Sequence, residues 1–182
     1  MYLMEQKSVF KSSIWKVFEV FVEEPLTIHY IKEISRKINL APTSVKNHMI
    51  SLEKEKIILE KKGERFIGFI ANRDNESFLF YKKILNFIKL DESGLINYLN
   101  NSLYPKAIVL YGSYARGEDV EKSDIDLFIL SKTTKTLLLE KFERVLNRKI
   151  HIIIKETIKK MQENLRLEII NGLVLKGYLQ YG

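Results

Sequence analysis

The amino-acid sequence predicts an α+β protein with two parts, of which the first is three helices and a hairpin and the second a small α/β domain. Apolar residues recur at helical spacing in the first third of the chain, interrupted at Pro25, Asn39 and Pro42. Two short apolar runs then flank a charged turn at 60–65, which predicts a hairpin. Beyond residue 105, short apolar strands alternate with helical segments, which predicts a short mixed sheet flanked by helices.

The composition is that of a globular protein with a basic balance. Hydrophobic residues make up 46% and charged residues 29% of the 182 positions. The chain has no cysteine, which excludes disulfides and thiolate metal sites. No apolar run approaches the ~18 residues that span a bilayer, and the N-terminus lacks a signal-peptide pattern, so we expect a cytoplasmic protein that does not enter a membrane. A net charge of +7 favours a polyanionic partner. Richness in Lys, Glu and Ile is typical of a thermophile or of an AT-rich genome.

The first part begins with three predicted helices. The first covers about 8–22 and ends before Pro25. The second covers Ile28–Ile38, where Asn39 suits the left-handed position that ends a helix. The third covers about Pro42–Lys56, with the proline in its first turn.

A hairpin is predicted next, over 57–59 and 66–70, with Gly63 at its tip. Together with the helices, the stretch of about 28–71 resembles the winged helix-turn-helix domains of prokaryotic regulators. The resemblance implies binding to double-stranded DNA, through the N-terminal part of the third helix and through the hairpin. Such regulators are often dimers, so a homodimer is one possible state of this protein. The implied DNA-binding residues are Thr43, Ser44, Lys46, Asn47, Lys61, Lys62 and Arg65. Winged helices also bind proteins, and a charged helix face often contacts only solvent. Protein binding, and no binding at this face, therefore stay open as alternatives to DNA binding.

Residues 74–104 are predicted as a helical connector of two helices, with Asp91 as the N-cap of the second. From Lys106 onward we expect strands at 106–111, 125–131 and 149–155. Helices are expected at 136–146 and 156–172. The predicted domains are therefore 1–73 and 74–182, the latter with its core at 105–182.

The most informative motif joins the first two of these strands. Gly112-Ser113 follows the first strand, and after ten intervening residues Asp124 and Asp126 stand at alternate positions at the start of the second. Alternate strand positions face the same way, so these carboxylates share a face. Two carboxylates suit Mg²⁺ or Mn²⁺ bound together with substrate phosphates, and a Gly-Ser turn offers backbone N–H groups to a phosphate.

The full string reads Gly-Ser-x-Ala-Arg-Gly-x5-Ser-Asp-x-Asp-Leu, and it resembles the minimal nucleotidyltransferases of the DNA polymerase beta-type superfamily. The resemblance covers nearly all of 74–182. It implies that Gly112 and Ser113 hold the phosphates of a nucleoside triphosphate, with ATP the first candidate, and that Asp124 and Asp126 are catalytic and bind Mg²⁺. Arg116 is implied either to contact phosphate or to pair with a carboxylate such as Asp119 or Asp126.

One position departs from the family pattern, which has a third carboxylate on the next strand. That strand, 149–154, contains no Asp or Glu, and its alternation places His151 or Lys149 where the acid would stand. A missing general base costs about 10²–10⁴-fold in rate. His151 is thus a candidate for the third position, or a hydrogen-bonded strand residue without a catalytic part.

Two functions follow. The first is transfer of a nucleoside monophosphate from NTP to a hydroxyl, with a partner protein as one acceptor, because some minimal nucleotidyltransferases are antitoxins that modify a toxin. The second is a DNA-binding transcriptional regulator whose weak or inactive nucleotidyltransferase-like domain senses nucleotide.

Overall fold

The computed structural model describes residues 12–64, 66–133 and 135–179. The chain divides into two compact units, Met1–Phe78 and Leu79–Gly182, and each is described by itself. In the described part of the chain no helix is both long enough and apolar enough to cross a membrane.

The first unit contains three helices and a two-stranded antiparallel hairpin. The elements are α1 (Ser13–Glu23), α2 (Ile31–Ile38), α3 (Pro42–Lys54), β1 (Ile58–Lys62), β2 (Ile67–Ala71) and the first residues of α4 (Glu76–Glu92). Apolar side chains from the helices fill the core, and Val17, Phe21 and Val45 are fully buried. The chain leaves α2 at Asn39 in the left-handed conformation, with φ 51°, and Pro42 is the first residue of α3, as predicted.

The start of the second helix differs from the sequence prediction. The helix predicted from residue 28 begins at Ile31, because the preceding segment is extended: His29 and Phe69 exchange backbone hydrogen bonds of 2.7 and 2.9 Å. His29 also packs edge-on against Phe21, with ring centroids 5.0 Å apart. Positions 8–11 of the first predicted helix lie outside the described residues.

The second unit is built on a mixed sheet, as predicted, but the sheet has four strands and not the three that were expected. Its strands are β3 (Ala107–Tyr111), β4 (Ile125–Leu130), β5 (Ile150–Lys155) and β6 (Leu173–Gly177), in the order β5-β4-β3-β6. Strands β4 and β5 are parallel, and the other pairs are antiparallel. The helices after α4 are α5 (Leu95–Leu103), α6 (Gly112–Arg116), α7 (Glu140–Leu146) and α8 (Glu163–Ile170).

Alternation along β3 separates two apolar clusters. Ile108 and Leu110 join α5 and Phe142 of α7 in one cluster. Val109 and Tyr111 join Phe128 and Ile169 of α8 in the other. The sheet is therefore covered by helices on both sides, so that the ends of its strands carry the accessible polar groups.

Several element boundaries differ from the sequence predictions. Asp91 does not cap a helix, since α4 continues through Glu92 and the break comes at Gly94, whose φ is 75°. The helix predicted from residue 136 is α7, which begins only at Glu140. In the segment before it, the amide of Leu138 donates to the Tyr98 hydroxyl at 2.9 Å. The last helix is limited to α8, and β6 was not predicted as a strand at all.

Candidate active site

The Gly-Ser turn and the aspartate strand meet at one point of the sheet. Gly112 begins α6 directly after β3 and has φ 74°, a conformation that favours glycine. A Cβ atom at this position would lie 2.5 Å from Oδ2 of Asp126. A side chain here would therefore displace the Asp126 carboxylate, which explains why the motif places glycine before the serine.

Asp126 also faces His151 on the neighbouring strand. The two residues are partners in the parallel register of β4 and β5, and Nδ1 of His151 lies 3.3 Å from Oδ1 of Asp126. The side chains are 60% exposed for His151 and 27% for Asp126, so the pair is open to solvent. Of the two residues predicted to stand at the third position, His151 is beside Asp126, whereas Lys149 pairs with Glu143 at 3.1 Å.

Asp124 is exposed one residue before β4. It lies on the wall of an open cavity of about 630 Å³, bounded by the loop before β4, by α7 and by the turn between α7 and β5. All lining residues are polar, and charged side chains of both signs are among them; they are Glu121, Lys122, Ser123, Asp124, Glu140, Glu143, Arg144, Asn147, Arg148 and Lys149. A bound group reaching Asp124 thus meets charged side chains of both signs together with the aliphatic parts of those side chains.

Arg116 forms an ion pair with a carboxylate other than the two suggested by the sequence. Its Nε lies 2.7 Å from Oε2 of Glu118, and neither Asp119 nor Asp126 is its ion-pair partner. Both side chains of this pair are about half exposed, at 52% and 47%. Exposed ion pairs contribute little to stability, so the Arg116 guanidinium can turn to a ligand at small cost.

Ser123 is a turn residue. Its hydroxyl accepts a hydrogen bond from the Val120 amide at 2.9 Å, and its own amide donates to the Val120 carbonyl at 2.9 Å. The loop that leads into Asp124 is thereby folded onto itself.

Tyr111 shows that a further acid acts on the same face of the sheet. Burial, together with the nearby carboxylates of Asp126 and Glu168, raises the pKa of its phenol to about 12. The phenol is therefore protonated at neutral pH. Glu168 lies on α8 next to the buried Ile169, and no motif in the sequence pointed to it as part of the site.

Sequence reasoning also missed a buried polar cluster behind the turn. It consists of Lys82 and Asn86 on α4, Asp119 in the loop after α6, and Arg148 before β5. A signal was available, because Lys82 and Asn86 lie among Phe78, Leu85 and Leu90 at positions where the helical period places core residues.

The donor set fits a hard divalent cation shared with a phosphate. Among the described residues no group of three or more His, Cys, Asp or Glu side chains could hold a metal by itself. Two aspartates with substrate oxygens are the usual way in which proteins hold Mg²⁺. Asp124 and Asp126 would therefore hold the ion together with the triphosphate.

The residues predicted to contact DNA lie in the first unit. Thr43, Lys46 and Asn47 on α3 are exposed, and Ser44 is half-buried. On β1, Lys61 and Lys62 are exposed, whereas Arg65 lies outside the described residues.

Comparisons with known proteins match the part of the chain that contains this site. The family model "Polymerase beta, Nucleotidyltransferase" matches residues 93–177. Two Methanocaldococcus jannaschii proteins, both named as candidate protein adenylyltransferases, are similar to this chain. One is 40% identical over 60 residues, which are 29% of this chain and 60% of the relative. The other is 43% identical over 58 residues, which are 29% of this chain and 67% of the relative. The chain belongs to the polymerase beta nucleotidyltransferase family. No solved structure matches it.

Proposed function

We propose that this protein transfers a nucleoside monophosphate, with AMP as the first candidate, from an NTP–Mg²⁺ complex to a hydroxyl group of a partner protein. The observation that carries the proposal is the close approach of the Asp126 carboxylate to Gly112, with His151 beside Asp126 on the neighbouring strand. That arrangement puts a carboxylate against the turn expected to hold phosphate. The names of the two relatives support a protein as acceptor, and an antitoxin-like partner relationship is one form of it.

The proposed reaction is an in-line substitution at the α-phosphorus. The acceptor oxygen forms the new bond, the bond to the bridging oxygen breaks, and pyrophosphate leaves. Bound Mg²⁺ supplies charge neutralisation on the phosphate oxygens. Backbone N–H groups at Gly112 and Ser113 hold the phosphates, with Arg116 released from Glu118 to join them. His151 accepts the acceptor's proton, directly or through water, because it is next to Asp126 and open to solvent.

The test uses ATP labelled at two positions. The full chain is incubated with Mg²⁺ and ATP, alone and with proteins encoded beside it. We expect label from α-labelled ATP on a protein and none from γ-labelled ATP, since only the nucleotidyl group moves. Transfer of the γ label would indicate a kinase. Absence of α-label transfer with every partner would overturn the proposal.

A second candidate function is a DNA-binding regulator whose nucleotidyltransferase domain senses nucleotide. The exposed polar residues at the start of α3 and the lysines of β1 favour it, since they match the placement expected for a recognition helix and a wing. Half-exposed acids such as Glu53 lie on the same helix, so the surface is not uniformly basic.

Salt dependence of DNA binding tests this second function. Removing one phosphate contact lowers the slope of log affinity against log salt concentration by about 1. We expect that change for Lys46→Ala and for Lys61→Ala, measured with the full chain on duplex DNA of random sequence. Lys16→Ala, an exposed lysine on α1, is the matched control and should leave the slope unchanged. Unaltered slopes in both test variants would remove DNA binding through this surface.

A further inference from the structure

We infer that the buried Asp119–Lys82 pair is the positioning element that holds the phosphate-binding turn and the metal-binding strand in their mutual geometry. The inference rests on the proposed nucleotidyl transfer. It assigns a part in the site to residues outside the Gly-Ser and Asp-x-Asp signature.

The first observation is that two opposite charges are fully desolvated next to the site. The side chains of Asp119 and Lys82 are each 1% exposed, and Lys82 Nζ lies 3.4 Å from Oδ2 of Asp119. Arg148, whose side chain is 9% exposed, places Nη2 3.7 Å from the same oxygen. Removing charges from water is costly, and a buried ion pair often stabilises a fold no better than apolar groups of the same shape. A part in positioning the turn and the strand of the site accounts for the presence of this buried ion pair.

The second observation is that the same side chains bind the backbone of the site. Asn86 Nδ2 donates to Oδ1 of Asp119 at 2.8 Å and to the carbonyl of Tyr114, inside the phosphate-binding turn, at 3.0 Å. Arg148 Nη1 donates to the Glu121 carbonyl at 2.8 Å, and Lys82 Nζ donates to the Asp119 carbonyl. The cluster thus holds both the turn that begins with Gly112 and the loop that ends at Asp124.

A third observation concerns how closely α4 approaches this loop. Gly117 ends α6 with φ 74°, and a Cβ atom there would lie 2.5 Å from the carbonyl oxygen of Leu79 on α4. Helix α4 therefore lies directly against the turn, and its polar residues have little room to shift. The consequence is a rigid link from α4 to Ser113 on one side and to Asp124 on the other.

The test replaces both charges by uncharged groups of similar shape. The double variant Lys82→Met/Asp119→Asn removes both charges of the pair. Arg148 loses the Asp119 carboxylate but keeps its hydrogen bond to the Glu121 carbonyl, so we expect a folded protein with a lowered thermal midpoint, and kcat is measured at a temperature at which the variant is folded. Misplacement of reacting groups by about 1 Å lowers the rate by up to about 10²-fold, so kcat should fall by about 10–100-fold. The KM for ATP–Mg²⁺ should rise by a smaller factor. Asn86→Leu, which cuts only the amide link, should give a smaller loss of kcat.

The control is Glu24→Gln/Lys37→Met, which removes an exposed ion pair of the other unit and should leave kcat unchanged. Wild-type kcat and KM in the Lys82→Met/Asp119→Asn variant, or a loss no larger than its unfolded fraction, would overturn the inference. If the wild type transfers no label, the proposed function has failed, and affinity for a non-hydrolysable ATP analogue with Mg²⁺ becomes the readout. About tenfold weaker binding by the double variant then supports positioning. Equal affinity, or no binding by the wild type, overturns it.

Discussion

Replacement of Asp126 by asparagine should reduce nucleotidyl transfer by about three orders of magnitude. The carboxylate lies over Gly112 and beside His151, so it is the acid best placed to share a cation with a phosphate held at the turn. Metal stabilisation of transition-state charge is worth several kcal/mol, and each 1.36 kcal/mol is tenfold in rate, so we expect a loss of about 10³-fold. The measurement is α-label transfer from ATP by the full chain, at saturating Mg²⁺.

Asp91→Asn is the matched control for this variant. Asp91 is an exposed carboxylate in the last turn of α4, and its replacement makes the same chemical change away from the turn. It should retain wild-type transfer. Circular dichroism and thermal unfolding establish that Asp126→Asn is folded. A folded Asp126→Asn variant with undiminished transfer would show that the chemistry takes place elsewhere.

The sheet of the second unit could be predicted from the sequence because burial on both faces leaves a simple pattern. Strands β3 and β4 are covered by helices on each side, and they read as continuous apolar runs. The turn between them could be predicted for a different reason. Gly112 and Asp126 are fixed by local backbone conformation and by register, both of which depend on positions close in sequence.

Other features could not be predicted, because they depend on contacts between distant segments. His29 is extended rather than helical since its backbone pairs with Phe69, forty positions later. Strand β6 exists through its pairing with β3, and its own sequence has no alternation that separates it from a helix end. Local patterns describe the preference of a segment, whereas these two contacts are set by its tertiary partner.

The buried polar cluster behind the turn could be predicted only in part. The sequence contains Lys82 and Asn86 at core positions of α4, which signals buried polar residues that require partners. It does not contain the identity of those partners, which come from the loop after α6 and from the start of β5. Arg116 shows the same limit at the surface, since several carboxylates were within plausible reach in sequence and Glu118 is the one it meets.

His151→Asp should increase nucleotidyl transfer. The register of β4 and β5 puts position 151 directly beside Asp126, where the family pattern has its third carboxylate. An aspartate there would still accept the proton, and it would add a hard oxygen ligand for Mg²⁺, which an imidazole is not. Because metal stabilisation of transition-state charge is worth several kcal/mol, of which one added ligand supplies a part, we expect a rise of about tenfold in kcat, measured by α-label transfer at matched ATP and Mg²⁺.

The effect of His151→Asp on stability provides an independent measurement. Without metal, the new carboxylate repels Asp126, so the thermal midpoint should fall; added Mg²⁺ binds the folded site and should raise it by more than in the wild type. His151→Asn is the control, since it removes the imidazole without adding charge, and it should lower transfer because no group at position 151 then accepts the proton. A fall in kcat for His151→Asp as large as that for His151→Asn would mean that a carboxylate cannot replace the imidazole and that no third acid acts at this position.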